Sequence, residues 1–393
     1  MEIPYFGEDF RVKSKLHSEL PPASNSPNSI KISSLAAATA VMIGSDYFRP
    51  LTGFHDIEDA ISICDKMQMK NKLFWPIPLL NIIDDIGKLE VGMTVNLIDP
   101  NFQDGRILGQ QLIGSIHKIT QKEKAKITES VFGTTDESHP GVSMISKMGN
   151  FLISGDLAIN NHSYYSEDFP ETFMTASEIR SRFVQNGFKR VVAFQTRNPM
   201  HRAHEELCKI AMEETQSDAL LIHMLLGKLK QGDIPASVRD EAIRVMVEKY
   251  FDQNKVMVSG YGFDMLYAGP KEALLHAIIR QNCGCSFLII GRDHAGVGDF
   301  YQAFEAQEIF HSDLVQESLE IKIFEADHTA YSKKLGRIVM MKDAQNHKLD
   351  DFMILSGTKV RSILEEGKTL PPEFARPEVA AVLGAYYKEK RVE

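Results

Sequence analysis

Hydrophobic and polar positions change their rhythm near residue 168, and that change divides the chain. Up to about Ile159, short β-like runs such as Met93 to Ile98 and Leu108 to Ile119 alternate with glycines and an Asp-Pro turn, the pattern of a mainly β unit. The apolar run Leu73 to Ile83 is interrupted by Pro76, Pro78 and Asn81 and falls short of the ~20 apolar residues that cross a bilayer, so it predicts buried strand and loop. The aromatic string GSDYFRPLTGF, Gly44 to Phe54, predicts a packed corner. A polar link then leads through Thr175 or Ser177, either of which can cap the amphipathic stretch that follows.

Beyond the link, apolar runs at Arg190 to Phe194, Leu220 to Leu225, Val256 to Ser259, Phe287 to Ile290 and Ile321 to Phe324 predict strands. Helical stretches near Ala203 to Glu214, Ser237 to Tyr250, Lys271 to Gln281 and Phe300 to Phe310 lie between them. Such alternation predicts crossover units on a parallel sheet, whose ligands bind outside the carboxyl ends of the strands. From about Ala326 the chain is more polar and ends in PPEFARPEVAAVLGAYYKEKR, Pro-rich turns before a helix. The expected fold class is therefore α/β multidomain, with units at 1–168, 169–325 and 326–393; at 393 residues the chain exceeds the ~250 to 300 at which one core stops growing.

Composition narrows the chemistry. With 43% hydrophobic and 25% charged residues the chain reads as an ordinary folded protein. Its first twenty residues carry acidic groups and no continuous apolar stretch, which predicts no secretory signal and a cytoplasmic protein. Four cysteines without repeated spacing predict free thiols. The net charge of -9 argues against nucleic acid or an anionic membrane as partner, so an anionic substrate must find local positive charge.

Four segments offer it. In VVAFQTRNPMHRAHEEL, Val191 to Leu207, an apolar strand runs into a polar loop and a helix, with Pro199 expected in the first helical turn. A helix start there would present backbone N–H groups and partial positive charge to a phosphate. His201 and His204, three apart, share a helix face, and Arg197 supplies a planar fork of donors. A second post-strand loop, GRDHAGVGDF at Gly291 to Phe300, combines glycines with Arg292 and His294. LSGTKVRSIL, Leu355 to Leu364, places small polar residues before a helix carrying Arg361, and GKLKQGDIP, Gly227 to Pro235, adds Lys228 and Lys230 in a basic loop. These residues alone leave open an adenylyltransferase with any of several acceptors, or a non-catalytic nucleotide sensor.

The HxxH pair resembles the HxGH signature of adenylyl-transferring enzymes, with Ala203 in place of glycine. The complete string QTRNPMHRAH, the loop GRDHAG and the segment LSGTKVR resemble the ATP sulfurylase (sulfate adenylyltransferase) family, and the likeness extends over essentially the whole chain. It implies a PUA-like N-terminal β domain, a Rossmann-like catalytic domain and a small C-terminal α/β subdomain, in the single-function form without an APS kinase domain. HTAYSKKLGRIVMMKD resembles the dissimilatory prokaryotic branch. The implied reaction joins ATP and sulfate into adenosine 5'-phosphosulfate (APS) with release of pyrophosphate. By the same resemblance Gln195, Arg197 and the Ala295 backbone hold sulfate. Gln195, Arg197, Asn198, Gly291, Arg292, Asp293, His294 and Val339 hold ATP, and Thr196, Arg197, Asn198, His201, His204 and Arg292 form the catalytic set. Mg2+ is implied as the counter-ion of ATP and pyrophosphate. Ser332 and Leu335, standing where zinc-containing relatives carry CxxC, imply no structural zinc. The resemblance further implies a homo-oligomer, with a dimer favoured.

Overall fold

The computed structural model describes residues 28–390 apart from Gln231 and Ser356. The reading of the first twenty residues, and Ser356 of the LSGT segment, lie outside the described residues.

Five fully parallel strands form the central sheet: β1 Val191–Thr196, β2 Ala219–Leu225, β3 Val256–Tyr261, β4 Phe287–Ile290 and β5 Lys322–Glu325. Their spatial order is β3-β2-β1-β4-β5, with Val192 flanked by Leu220 on one side and Phe287 on the other. All seven residues of β2 are buried, as the centre of a sheet covered on both faces requires, which is why this strand appears in the sequence as a nearly continuous apolar run. Helices α1 Arg202–Glu214, α2 Ala236–Tyr250 and α3 Gly269–Asn282 make the crossovers. The result is a Rossmann-like half whose strand order reverses between β1 and β4.

The N-terminal part, built on Phe151–Ile159, pairs this long strand with Ile107–Leu112, Ser115–Lys118, Ile82–Ile83 and Gly53–Phe54. It also contains the helices Ser34–Gly44, Ile57–Lys66 and Gln121–Phe132. Thr175, one of the two residues read as caps, is the cap of Ala176–Gln185: its side chain accepts from the Glu178 N–H while Glu178 accepts from the Thr175 N–H at 2.7 Å. The C-terminal part has a three-stranded antiparallel sheet, Thr329–Ser332, Arg337–Met340 and Phe352–Met353, then helices Gly357–Glu365 and Pro377–Lys390. Its sheet lies against α1 and its last helix against α2. At Ser332 the hydroxyl meets His347 Nε2 at 2.8 Å and accepts the Leu335 N–H at 3.0 Å, so hydrogen bonds hold this turn.

Two expectations change. The stretch Phe300 to Phe310 is helical only over Glu305–Glu308, followed by a 3-10 turn at Ile309–His311. The Ala303 carbonyl instead accepts the N–H of Asp293 at 2.8 Å, tying this stretch to the preceding loop. Pro199 lies outside the first helical turn, because α1 begins at Arg202 with His201 as its cap. A side-chain turn occupies the intervening residues: Thr196 Oγ1 donates to the Asn198 carbonyl at 2.8 Å and accepts the Asn198 N–H at 3.1 Å.

Candidate active site

The crevice outside β1 and β4 is where a doubly wound sheet takes its ligand, because the connections leave these two neighbours toward opposite faces. A cavity of about 300 Å³ opens there. Its walls come from both post-strand loops, from the start of α1, and from the C-terminal residues Asp327 to Tyr331 and Glu373 to Phe374. Gln195, Thr196, Arg197, Asn198, His201, His204, Gly291, Arg292, Asp293, His294 and Ala295 all line it, so the structure gathers every expected site residue except Val339.

Val339 packs in a small apolar cluster with Ala330, Ala344 and Phe352, and it is the adjacent Ile338 that lines the cavity. Strand alternation accounts for the exchange, since neighbouring side chains leave opposite faces. Thr196 is 4% exposed with its hydroxyl committed to the Asn198 turn, so it shapes the loop. Arg361 lies on Gly357–Glu365, away from the wall, which Ile354 and Leu355 join from the preceding residues.

Backbone geometry sets the second loop. Asp293 and Ala295 both adopt left-handed φ, 55° and 57°, which folds the loop back so that the Gly296 N–H reaches the Asp293 carbonyl at 3.1 Å. A Cβ placed on Gly291 would meet nothing within 4 Å, so this glycine leaves open space on the cavity side.

Arg197 and the polar groups around it are tied in place. Arg197 donates to the Gly296 carbonyl at 3.0 Å, lies 3.5 Å from Asp233 and packs its guanidinium 5.0 Å from the centre of the Tyr267 ring. Gln195 donates to the Tyr261 hydroxyl at 3.2 Å. His294 Nε2 meets His276 Nδ1 of the buried helix α3 at 3.0 Å, and His276 Nε2 in turn lies 3.8 Å from Glu272. Lys230, from the basic loop, joins Arg197 and His294 around an adjoining cavity of about 190 Å³, and its N–H donates to the Tyr267 hydroxyl at 2.8 Å.

His201 and His204 stack face to face, ring centres 3.8 Å apart. Burial pushes the His204 imidazole down to about 4; burial, then the charge of His204, pushes His201 well below the ordinary histidine range. His294 is pushed down to about 3 by burial and by Arg280 and Arg197. All three are therefore neutral at pH 7. His204 Nδ1 accepts the His201 N–H over a long 3.4 Å, which places the proton of the neutral ring on Nε2 as a donor. The arrangement offers a guanidinium, neutral imidazole donors and a helix start to one anionic ligand and, among the described residues, no group placed as a nucleophile beside a base.

Sequence reasoning missed Asp327, His328, Tyr331, Glu373 and Phe374 as parts of the wall. The string PPEFARPEV held the signal for the last two, but nothing local connects it to a helix some 170 positions earlier, an order-of-magnitude separation that only tertiary packing spans.

Comparison with known proteins agrees with this architecture. The ATP-sulfurylase family pattern matches residues 170–386 and that of the PUA-like domain matches 8–162. A sulfate adenylyltransferase of Alcanivorax borkumensis is 54% identical over 381 residues, covering 97% of this chain and 94% of the relative. One from Allochromatium vinosum is 51% identical over 372 residues, covering 95% and 94%. Among solved structures, a hexameric APS kinase from Thiobacillus denitrificans superposes with a TM-score of 0.69 at 21% identity, over 92% of this chain and 64% of that one, which bears on the fold alone.

Proposed function

The chain belongs to the ATP-sulfurylase family, and from that premise we propose that it is a sulfate adenylyltransferase in which a sulfate oxygen attacks the α-phosphorus of ATP. A bond forms between that oxygen and phosphorus, the bond from phosphorus to the bridging oxygen of the β-phosphate breaks, and pyrophosphate leaves; the reaction is reversible. Sulfate arrives as an anion and needs no base, so positioning and charge neutralisation supply the catalysis. The observation that carries the reading is the convergence of Arg197, His201, His204 and His294 on one cavity at the strand-order reversal.

Gln195, Arg197 and the Ala295 backbone hold sulfate. Asn198 and the run Gly291 to His294 hold ATP, with the Val339 side chain left out because it faces the C-terminal core. His201, His204 and Arg292 neutralise the phosphates, while Thr196 fixes the loop. Mg2+ would enter as part of the Mg-ATP substrate, supplying charge to the phosphates. EDTA stops turnover and added Mg2+ restores it on this reading. Among the described residues no helix is long and apolar enough to cross a membrane; a cytoplasmic homo-oligomer, the dimer first, is the proposed form, checked by sedimentation velocity.

The test is pyrophosphate release from Mg-ATP with and without sulfate, together with ATP formation from APS and pyrophosphate, in wild type and Arg197→Ala. Sulfate-dependent turnover in both directions, lost in the variant, is expected. ATP binding without either reaction would refute it and favour a different acceptor.

A further inference from the structure

The string PPEFARPEV takes no part in the chemistry described so far, yet the structure clamps it onto the catalytic helix. Arg202 donates its N–H to the Phe374 carbonyl at 2.9 Å and its guanidinium to the Pro372 carbonyl at 2.8 Å. Arg376 forms a two-pronged pair with buried Glu205 at 2.9 Å on each oxygen. This leaves the Phe374 ring over His201, centroids 4.5 Å apart and planes 30° from parallel. His201 stacks in turn on His204, and His204 packs against Phe194 of β1 at 5.4 Å. Two imidazoles thus stand in a row between two phenylalanines drawn from opposite ends of the catalytic region.

Hydrogen bonding holds the first imidazole only loosely. The His201 side chain faces the His204 N–H in a capping box but makes no cap hydrogen bond of normal geometry, and its buried Nδ1 has no partner among the described residues. A ring held so loosely takes its orientation from the surfaces packed on its faces. His204 forms one surface and Phe374 the other.

We infer that Phe374 is a positioning residue for the reaction: its aromatic face sets the plane of His201 and, through it, that of His204, so the C-terminal segment completes the active site. This rests on the sulfate adenylyltransferase reading. An apolar side chain of similar volume would still fill the gap and dock the segment, whereas only a ring can present a flat face. Leucine and tyrosine therefore separate packing from positioning.

The experiment compares wild type, Phe374→Leu and Phe374→Tyr by steady-state kinetics in both directions, with thermal unfolding, and follows the His201 ring protons by NMR, assigned through His201→Gln. Phe374→Leu is expected to lose roughly 10- to 100-fold in kcat, the order of loss that follows a small misplacement of a catalytic group, with KM for ATP and sulfate changed less than about threefold. Phe374→Tyr keeps kcat within about twofold, since the stacking face is retained. In the wild type the His201 ring protons are shifted upfield by the neighbouring rings, and part of that shift disappears in Phe374→Leu. A leucine variant with wild-type kcat, a tyrosine variant as impaired as the leucine one, or unshifted His201 protons in the wild type would overturn the inference. If leucine prevents folding, the tyrosine kinetics and the wild-type ring shift still decide. Wild-type protein without sulfate-dependent turnover defeats the functional reading instead, and the ring shift then judges the stack separately.

Discussion

Replacing Arg376 by alanine tests how the C-terminal segment is held. Glu205 is 1% exposed and receives two bonds from Arg376 at 2.9 Å and one from Lys209 at 2.6 Å. Breaking a buried ion pair from one side costs ~3–5 kcal/mol, because the remaining charge stays desolvated. Lys209 remains in Arg376→Ala and keeps part of the neutralisation. Arg376, itself about a quarter exposed, also lies 4.1 Å from the centre of the Tyr250 ring, a contact worth ~0.5–1 kcal/mol. The net loss is about 2–3 kcal/mol, or roughly 4–12 °C in Tm by the scaling for a domain of this order. The pH dependence supplies a second check. Burial alone would raise the Glu205 carboxyl, but the bonds from Arg376 and Lys209 hold it below the ordinary glutamate value of 4.5. A depressed carboxyl contributes stability above that value and loses it as pH falls through the folded-state pKa. The difference between wild type and Arg376→Ala should accordingly be full at pH 7 and shrink in acid. Thermal unfolding at pH 7 and below pH 4 measures both; equal melting temperatures at pH 7, or a difference that grows in acid, would refute the reasoning.

His204→Ala should lower turnover at least ~100-fold, as removing one transition-state donor does, and leave the circular dichroism of the fold unchanged; normal turnover would remove His204 from the mechanism. Gly291→Ala adds a methyl to open space on the cavity side, so unfolding should stay within ~0.5 kcal/mol of wild type while ATP affinity falls, as calorimetric titration would read. His204, about 4 when folded against an ordinary 6.5, takes up its proton first in the unfolded chain, so stability should fall as pH drops from about 6.5 toward 4; denaturant titrations should give a flatter profile for His204→Phe.

What the sequence disclosed depended on how local each signal was. The strands β1, β2 and β4 were visible because they are buried on both faces, and the catalytic loops because each follows such a strand directly. Ser34–Gly44 escaped notice for the opposite reason: with Ala36 to Ile43 all buried, it has no polar face to mark a helical period. The Phe300 to Phe310 stretch carried a helical composition, but the carbonyl of Ala303 is drawn into the preceding loop. Phe374 and Asp327 reach the site through the docking of a whole subdomain, and no spacing within their own segments records that.

A chain of net charge -9 must attract two anions, yet at rest Arg197 faces Asp233 and the Gly296 carbonyl, and the three site histidines are neutral. Apart from Arg292, half exposed at 3.6 Å from Asp293, little uncompensated positive charge is stored, which avoids the cost of burying like charges such as two imidazoliums 3.8 Å apart. Charge must then come with the ligand. A polyphosphate beside His204 raises its imidazole from about 4 toward neutrality, because a neighbouring negative charge favours the protonated form. Nucleotide binding should therefore take up a fraction of a proton, and the affinity for Mg-ATP should rise as pH falls from 8 to 6. Titration calorimetry in two buffers of different ionisation enthalpy measures the uptake directly. A positive value, diminished in His204→Gln, is expected; identical heats in both buffers would mean that the imidazoles serve only as neutral Nε2–H donors and that Arg197 and Arg292 carry the neutralisation alone.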